Sequence, residues 1–194
     1  MSTARRVGVL GGAFDPPHIG HVILAQEAWW RLRLDLMLLV PVGTPTDRPA
    51  PRFDAGRRVR MVEAAVAGHP GLACSRVEVD RDGPSYTADT LELIAREHPG
   101  AELWFMLGAD RLETLPAWHD PARLLSLARI AVVPRAGWSA ERIRETADRV
   151  APGRVDVVEA PEIGVSSTMV RRRLEEGAPV RYLVPEGVEP LLRD

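Results

Sequence analysis

Short apolar runs alternate along this chain with longer stretches whose apolar positions recur at helical spacing. The short runs are Arg6–Leu10, Leu36–Val40, Leu72–Val77, Glu102–Leu107, Arg129–Val133 and Val155–Glu159. Between them lie Gly20–Leu32, Asp54–Ala67, Ala88–Glu97, Pro121–Leu127 and Ala140–Val150. Strands alternating with helices predict βαβ units and a doubly wound α/β fold, a parallel sheet covered by helices on both faces. Runs such as Leu36-Met37-Leu38-Leu39-Val40 lack polar alternation, as strands buried on both faces do. After Val165 the pattern changes to a short helix, Met169–Glu176, with Gly177 as its C-cap, and a last helical segment over Pro185–Leu192. Pro41–Pro51 reads as a mobile loop. No repeat or long linker interrupts the chain, so residues 1–194 read as one domain with a small C-terminal helical extension from about 164.

The first strand breaks into Gly11-Gly12-Ala13-Phe14-Asp15-Pro16-Pro17-His18-Ile19-Gly20-His21 and then a helix. Adjacent glycines let the backbone approach a ligand closely. A helix start offers unpaired N–H groups and the positive end of a dipole, which suits phosphate. His18 and His21 flank Gly20, where no side chain blocks approach, and each imidazole can donate to a phosphoryl oxygen. A Gly-Gly strand exit or one histidine cap would be unremarkable alone. The combined run is far more restrictive, and it points to a nucleotide phosphate site.

The 194 residues carry a net charge of −2, without the basic excess of a general nucleic-acid binder. Cys74 is alone, which rules out an intrachain disulfide and fits a reducing cytoplasm. Met1–Arg6 runs into a strand with no signal-like apolar region, and no stretch is long enough to span a bilayer. The 25 basic residues are all arginines. Lysine-dependent chemistry, a Walker P-loop or a Schiff base, is thereby excluded. Side-chain cations for phosphate must be arginine, aided by protonated histidine or a metal.

The Gly-Gly to His-x-Gly-His run resembles the signature of the nucleotidylyltransferase superfamily, and His18 at its first position resembles the nicotinate-nucleotide adenylyltransferases. The resemblance implies a Rossmann-like sheet and an ATP site that includes Gly11, Gly12, Phe14 and Gly20, with His18 and His21 catalytic. Ser166-Ser167-Thr168-Met169-Val170-Arg171 alone could be N-capping before a solvated Arg171-Arg172-Arg173 run. It resembles the motif that closes the same family's ATP site, with Val165 for isoleucine. That likeness implies that Ser166, Ser167, Thr168 and a catalytic Arg171 hold the triphosphate.

Three further stretches match in order. Gly83-Pro84-Ser85-Tyr86-Thr87-Ala88-Asp89-Thr90-Leu91 is locally a turn and a helix cap; it resembles the family's pyridine-reading stretch, where Thr87 offers its N–H to the nicotinate carboxylate. Leu107-Gly108-Ala109-Asp110 ends a strand; Gly108 permits close approach, and the resemblance puts Asp110 near the ATP ribose. It also puts Trp118 against the pyridine ring and the backbone N–H of His119 on the carboxylate. Val133-Pro134-Arg135-Ala136-Gly137 resembles the family's Arg-Pro-Gly exit, making Arg135 a nucleotide contact. In the loop after the second strand, Pro45-Thr46-Asp47-Arg48 stands where the family has Pro-Pro-His-Lys, so Arg48 would take the lysine's place on substrate phosphate and Asp47 would face outward.

Other features read as structural. Trp29-Trp30 reads as packing, and Arg57, Arg58 and Arg60 as a solvated helix face. There is no zinc-type Cys/His cluster and no nucleophile elbow. The implied reaction joins nicotinate mononucleotide and ATP to give deamido-NAD and pyrophosphate, a step of NAD biosynthesis. Mg²⁺ would be held through ATP phosphates, with no protein metal ligands. Partners would be these small molecules, not nucleic acid or membrane, and the oligomeric state stays open. Nicotinamide mononucleotide or phosphopantetheine as acceptor, or a non-catalytic nucleotide-binding module, are the other readings.

Overall fold

The computed structural model describes residues 5–46, 49–135 and 137–193. Six strands form one parallel sheet in the order β3-β2-β1-β4-β5-β6: β1 Arg6–Gly12, β2 Leu36–Pro41, β3 Leu72–Cys74, β4 Glu102–Gly108, β5 Ala128–Val133 and β6 Val155–Val157. The helices are α1 Ile19–Arg31, α2 Ala55–Val66, α3 Thr87–Glu97, α4 Ala109–Leu112, α5 Pro121–Leu127, α6 Ala140–Val150 and α7 Ser167–Glu175.

Strand alternation divides the core in two. Val7, Val9, Leu103, Phe105 and Leu107 point to one face and pack with Leu91 and Ile94 of α3, Leu124 of α5 and Ile143 of α6. Met37, Leu39, Trp104 and Met106 point to the other face, against Ala25 and Ala28 of α1 and Val62 and Val66 of α2. At Gly8 the backbone lies so close to this second layer that a Cβ would stand 2.4 Å from the Met37 sulfur. A third cluster joins Met61 and Ala65 of α2 to Val170 of α7 and to Val180, Val184, Val188 and Leu192 of the C-terminal segment.

Because β1 has β2 on one side and β4 on the other, the chain changes face between them. Crevices open at such a switch, at the carboxyl ends of the strands. The phosphate-type motif leaves β1 at that point.

Several expected boundaries and surfaces shift. β3 stops at Cys74 rather than Val77, because residues 76–80 close a turn, with Val79 and Asp80 N–H groups donating to the Arg76 carbonyl and the Arg76 guanidinium forked on Asp80. β6 ends at Val157, short of Glu159; the pairing Val132↔Val157 would next but one reach Pro134, which has no N–H to continue the ladder. Pro185–Leu192 is not one helix but two 3-10 turns, Glu186–Val188 and Pro190–Leu192, separated where Pro190 cannot donate. Helix α4 and the 3-10 turn Leu115–Ala117 lie in a stretch with no expected element. Trp29 packs in the core, but Trp30 is 71% exposed, because it lies one position round the helix from the buried Ala25–Ala28 stripe. The face read as solvated is corrected at two of its three arginines: Arg58, only 2% exposed, is a core residue, and Arg57 is half-buried over Phe53 with Nε donating to the Leu191 carbonyl, which leaves Arg60 exposed.

Candidate active site

A cleft of about 1270 Å³ opens at the carboxyl ends of β1 and β4. That exceeds the roughly 300–1,000 Å³ usual for one small ligand. Gly11, Gly12, Phe14, His18, Gly20 and His21 line one wall. Phe14, at φ 47°, turns the chain out of the strand and buries its ring, whose edge meets His21 with centroids 5.0 Å apart. The ring in turn sits 3.3 Å from where a Gly12 Cβ would be, so a larger residue there would have to push the Phe14 ring aside.

His18 is the N-cap residue of α1. Its backbone N–H donates to His21 Nδ1 at 3.1 Å, which places the His21 proton on Nε2. The two rings lie 3.7 Å apart, and His18 Nδ1 is buried with no hydrogen-bonding partner among the described residues. Burial first, then the positive charge of Arg135, lowers His18 to about 4. Burial, then His18 and Arg135, lowers His21 to about 3. Burial thus favours the neutral, donating form of both imidazoles, and among the described residues that line the cleft the side-chain cations are Arg111, Arg135 and Arg171.

The second wall is the start of α7. Ser166 caps the helix by accepting from Met169 N–H at 3.2 Å. Ser167 Oγ donates to the Pro16 carbonyl at 2.9 Å. Arg171 donates to the Asp15 carbonyl at 2.6 Å, lies 3.3 Å from the Asp15 carboxylate and reaches Thr168 Oγ1 at 3.1 Å. The two phosphate-type motifs, far apart in the chain, are thus bonded to each other.

Across the cleft, α3 starts at Thr87 behind Tyr86, with no side-chain cap on its first turn. By contrast Asp54, Asp120, Ser139 and Ser166 accept first-turn N–H groups of α2, α5, α6 and α7. An uncapped helix start facing a cleft suits an anion. Tyr86 stacks on His119 with centroids 4.0 Å apart, and Trp118 stands edge-on to Phe105. Thr87, Trp118 and His119 all line the cleft.

Gly108 ends β4 beside Arg135, whose Nε lies 3.4 Å from Asp110 Oδ1. Arg135 and Gly108 line the cleft, while Asp110 stands behind them at the rim, half-exposed. Arg48 and Asp47 lie outside the described residues.

Three residues given no role from sequence belong to this architecture. Asp15, 6% exposed, accepts the N–H groups of Arg52 and Phe53, each at 2.9 Å. Glu78 lines the cleft and accepts the Thr90 hydroxyl at 2.7 Å. Arg58 donates to three backbone carbonyls. The signal for Arg58 was available: it falls in the stripe of Met61, Val62 and Ala65, where an unpartnered charge would be costly.

A doubly wound sheet with the starts of α1, α3 and α7 lining one crevice is the architecture of a nucleotide-binding α/β protein. The cytidylyltransferase-like family model matches residues 9–173. A Synechococcus sp. (strain JA-3-3Ab) protein named "probable nicotinate-nucleotide adenylyltransferase" is 40% identical over 192 residues, 97% of this chain and 92% of its own. A Geobacillus kaustophilus protein of the same name is 40% identical over 184 residues, 94% of this chain and 81% of its own. The solved Plasmodium falciparum nicotinic acid mononucleotide adenylyltransferase shares the fold, with a TM-score of 0.77 at 15% identity over 97% of this chain and 95% of that one. The chain belongs to the cytidylyltransferase-like family and, within it, to the nicotinate-nucleotide adenylyltransferases.

Proposed function

We propose that this cleft transfers the adenylyl group of ATP to nicotinate mononucleotide, giving deamido-NAD and pyrophosphate. One observation carries the reading: the strand exit 13–18 and the start of α7 are hydrogen-bonded into one wall of the cleft that the uncapped start of α3 also lines. The family of its curated relatives supplies the reaction class.

A phosphate oxygen of the mononucleotide attacks the α-phosphorus of ATP, and the bond from that phosphorus to the bridging oxygen of pyrophosphate breaks. The attacking oxygen is already ionised at neutral pH, so no general base is required. Catalysis becomes positioning and charge stabilisation. His21 donates through Nε2–H, His18 donates beside it, and Arg171 supplies fixed charge with the amides and hydroxyls of Ser166, Ser167 and Thr168. Gly11, Gly12, Phe14 and Gly20 shape the wall that the triphosphate lies on, while Asp110 and Arg135 take the ATP ribose and base side. Thr87 and His119 N–H groups hold the nicotinate carboxylate, Trp118 flanks the ring, and Arg48 reaches the mononucleotide phosphate.

ATP enters as its magnesium complex. The magnesium would be held through phosphate oxygens and water, as this hard cation commonly is with nucleotides. Among the described residues no helix is long and apolar enough to cross a membrane. Burial pushes the Cys74 thiol up to about 12, and a lone cysteine suits the reducing cytoplasm proposed for the enzyme.

The test is a coupled pyrophosphate assay with ATP and, separately, nicotinate mononucleotide, nicotinamide mononucleotide and phosphopantetheine. A charge-assisted hydrogen bond is about twice as strong as a neutral one, so the acid should exceed the amide by about tenfold or more in kcat/KM. Comparable turnover of the amide would overturn the substrate assignment.

A further inference from the structure

The β2–α2 connection leaves the sheet at Val42 and returns at Phe53, and between these ends Pro45, Thr46 and Pro49–Pro51 line the cleft. Both ends converge on one buried guanidinium. Arg58 Nη2 donates to the Val42 carbonyl at 2.8 Å, Nε to the Phe53 carbonyl at 3.1 Å, and Nη1 to the Ala13 carbonyl at 3.0 Å. Asp15 completes the clasp by accepting the Arg52 and Phe53 N–H groups. The charge of Arg58 is matched by Asp15, Asp54 and Glu78 around it.

We propose that Arg58 is a positioning residue for the mononucleotide: it fixes the neck of the 42–53 loop to the phosphate loop, so that the loop's cleft-facing part is held where the substrate docks. This rests on the proposed function for the identity of the substrate. Arg58 is buried behind the cleft and is not among the residues that line it. Its planar fork spreads three donors over Nε, Nη1 and Nη2 to reach three carbonyls, whereas the donors of a lysine all sit on one nitrogen.

The ATP wall has other anchors. Arg171 holds the Asp15 carbonyl and Ser167 holds that of Pro16. Among the described residues, Arg58 is the side chain that bonds both Val42 and Phe53 carbonyls. Its loss should therefore loosen the loop more than the triphosphate wall.

The experiment is Arg58→Lys, with the exposed Arg60→Lys as control, read by steady-state kinetics and by amide hydrogen exchange. The expected result is a KM for nicotinate mononucleotide raised about tenfold, with KM for ATP and kcat each changed less than about threefold, because binding loses preorganisation while the chemistry keeps its groups. Exchange should speed up at residues 42–46 and 49–53 and stay slow in β1 and β4. Equal changes in both KM values, or exchange loosened throughout the sheet, would overturn the proposal and make Arg58 a core ion only. Should Arg58→Lys fail to fold, Arg58→Gln, which keeps an amide donor but loses the charge and the three-carbonyl fork, is read by the same kinetics and exchange. An unchanged mononucleotide KM there overturns the proposal. A wild-type enzyme with no adenylyl transfer would overturn the proposed function instead, and the exchange comparison alone would then decide on Arg58.

Discussion

The backbone N–H of His18 donates to His21 Nδ1, and the rings of the two residues lie 3.7 Å apart. One hydrogen bond thus caps the helix, fixes the His21 tautomer and aims Nε2–H away from the backbone. The same residue serves structure and chemistry, and the two roles are separable.

His21→Ala should lower kcat about a hundredfold or more, the usual effect of losing one preorganised donor to transition-state charge. It should also cost about 1 kcal/mol of stability through the lost cap. His21→Asn can accept the His18 N–H again but cannot place a donor where Nε2 stands. Denaturation and single-turnover kinetics on both variants should show stability restored by Asn and activity not. Recovery of activity with Asn would mean that the cap, not the donor, is what catalysis needs.

Acid should destabilise the protein through this pair. Folded values of about 4 for His18 and about 3 for His21 lie below the ordinary 6.5, so on acidification the unfolded chain takes up protons first. Stability from neutral burial is complete above pH 6.5 and falls as pH drops toward 4 and 3. The loss amounts to roughly 2 kcal/mol per histidine by pH 5, since each pH unit below the unfolded value costs about 1.4 kcal/mol. Urea denaturation of wild type against a His18→Asn/His21→Asn double variant isolates this term from other groups. A wild type that gains on the variant between pH 7 and 5 would show that the imidazoles are charged when folded.

Arg171→Lys should impair ATP use although it keeps the charge. The guanidinium meets the Asp15 carbonyl, the Asp15 carboxylate and the Thr168 hydroxyl together, a fork that lysine lacks. We expect KM for ATP to rise by about tenfold. Arg172, 78% exposed and paired with Glu176 one turn on, should tolerate alanine within about 0.5 kcal/mol. Equal kinetic effects at both positions would indicate a diffuse basic surface.

Gly43→Ala should destabilise by about 1–3 kcal/mol, because its Cβ would stand 2.2 Å from the Glu78 backbone oxygen, which cannot swing aside. Gly43 N–H also donates to Ser85 Oγ at 3.2 Å, tying the loop to the stretch before α3. Thermal unfolding measures the cost; a neutral variant would mean that the two loops separate freely.

What was legible in the chain was local. Val7–Leu10 followed by glycines and a helix is a short-range pattern, and the alternation of strands and helices set the sheet class. Strand ends were less legible, because Pro134 limits β6 through pairing with a different strand. Three arginines within four residues, Arg57, Arg58 and Arg60, look solvated in a linear reading, whereas helical spacing puts Arg58 in the buried stripe and the C-terminal segment half-covers Arg57. The partners of Arg58, at Ala13, Val42 and Phe53, are backbone carbonyls, which no residue type advertises. Asp15 stood inside the recognised motif, but its bonds to Arg52, Phe53 and Arg171 depend on a fold that joins distant segments. Trp118 and His119 could be proposed only by resemblance, since an aromatic pair looks the same whether it packs or binds.

The bonds Ser167 to Pro16 and Arg171 to Asp15 span 151 and 156 residues. During synthesis on the ribosome, β1 and its histidines emerge early and wait through nearly the whole chain for the helix that completes their wall. A nascent chain stopped before α7 can pair the six strands but carries half a phosphate site. Contacts of such long sequence separation form slowly, so the ability to grip a nucleotide is among the last properties this molecule acquires as it is made.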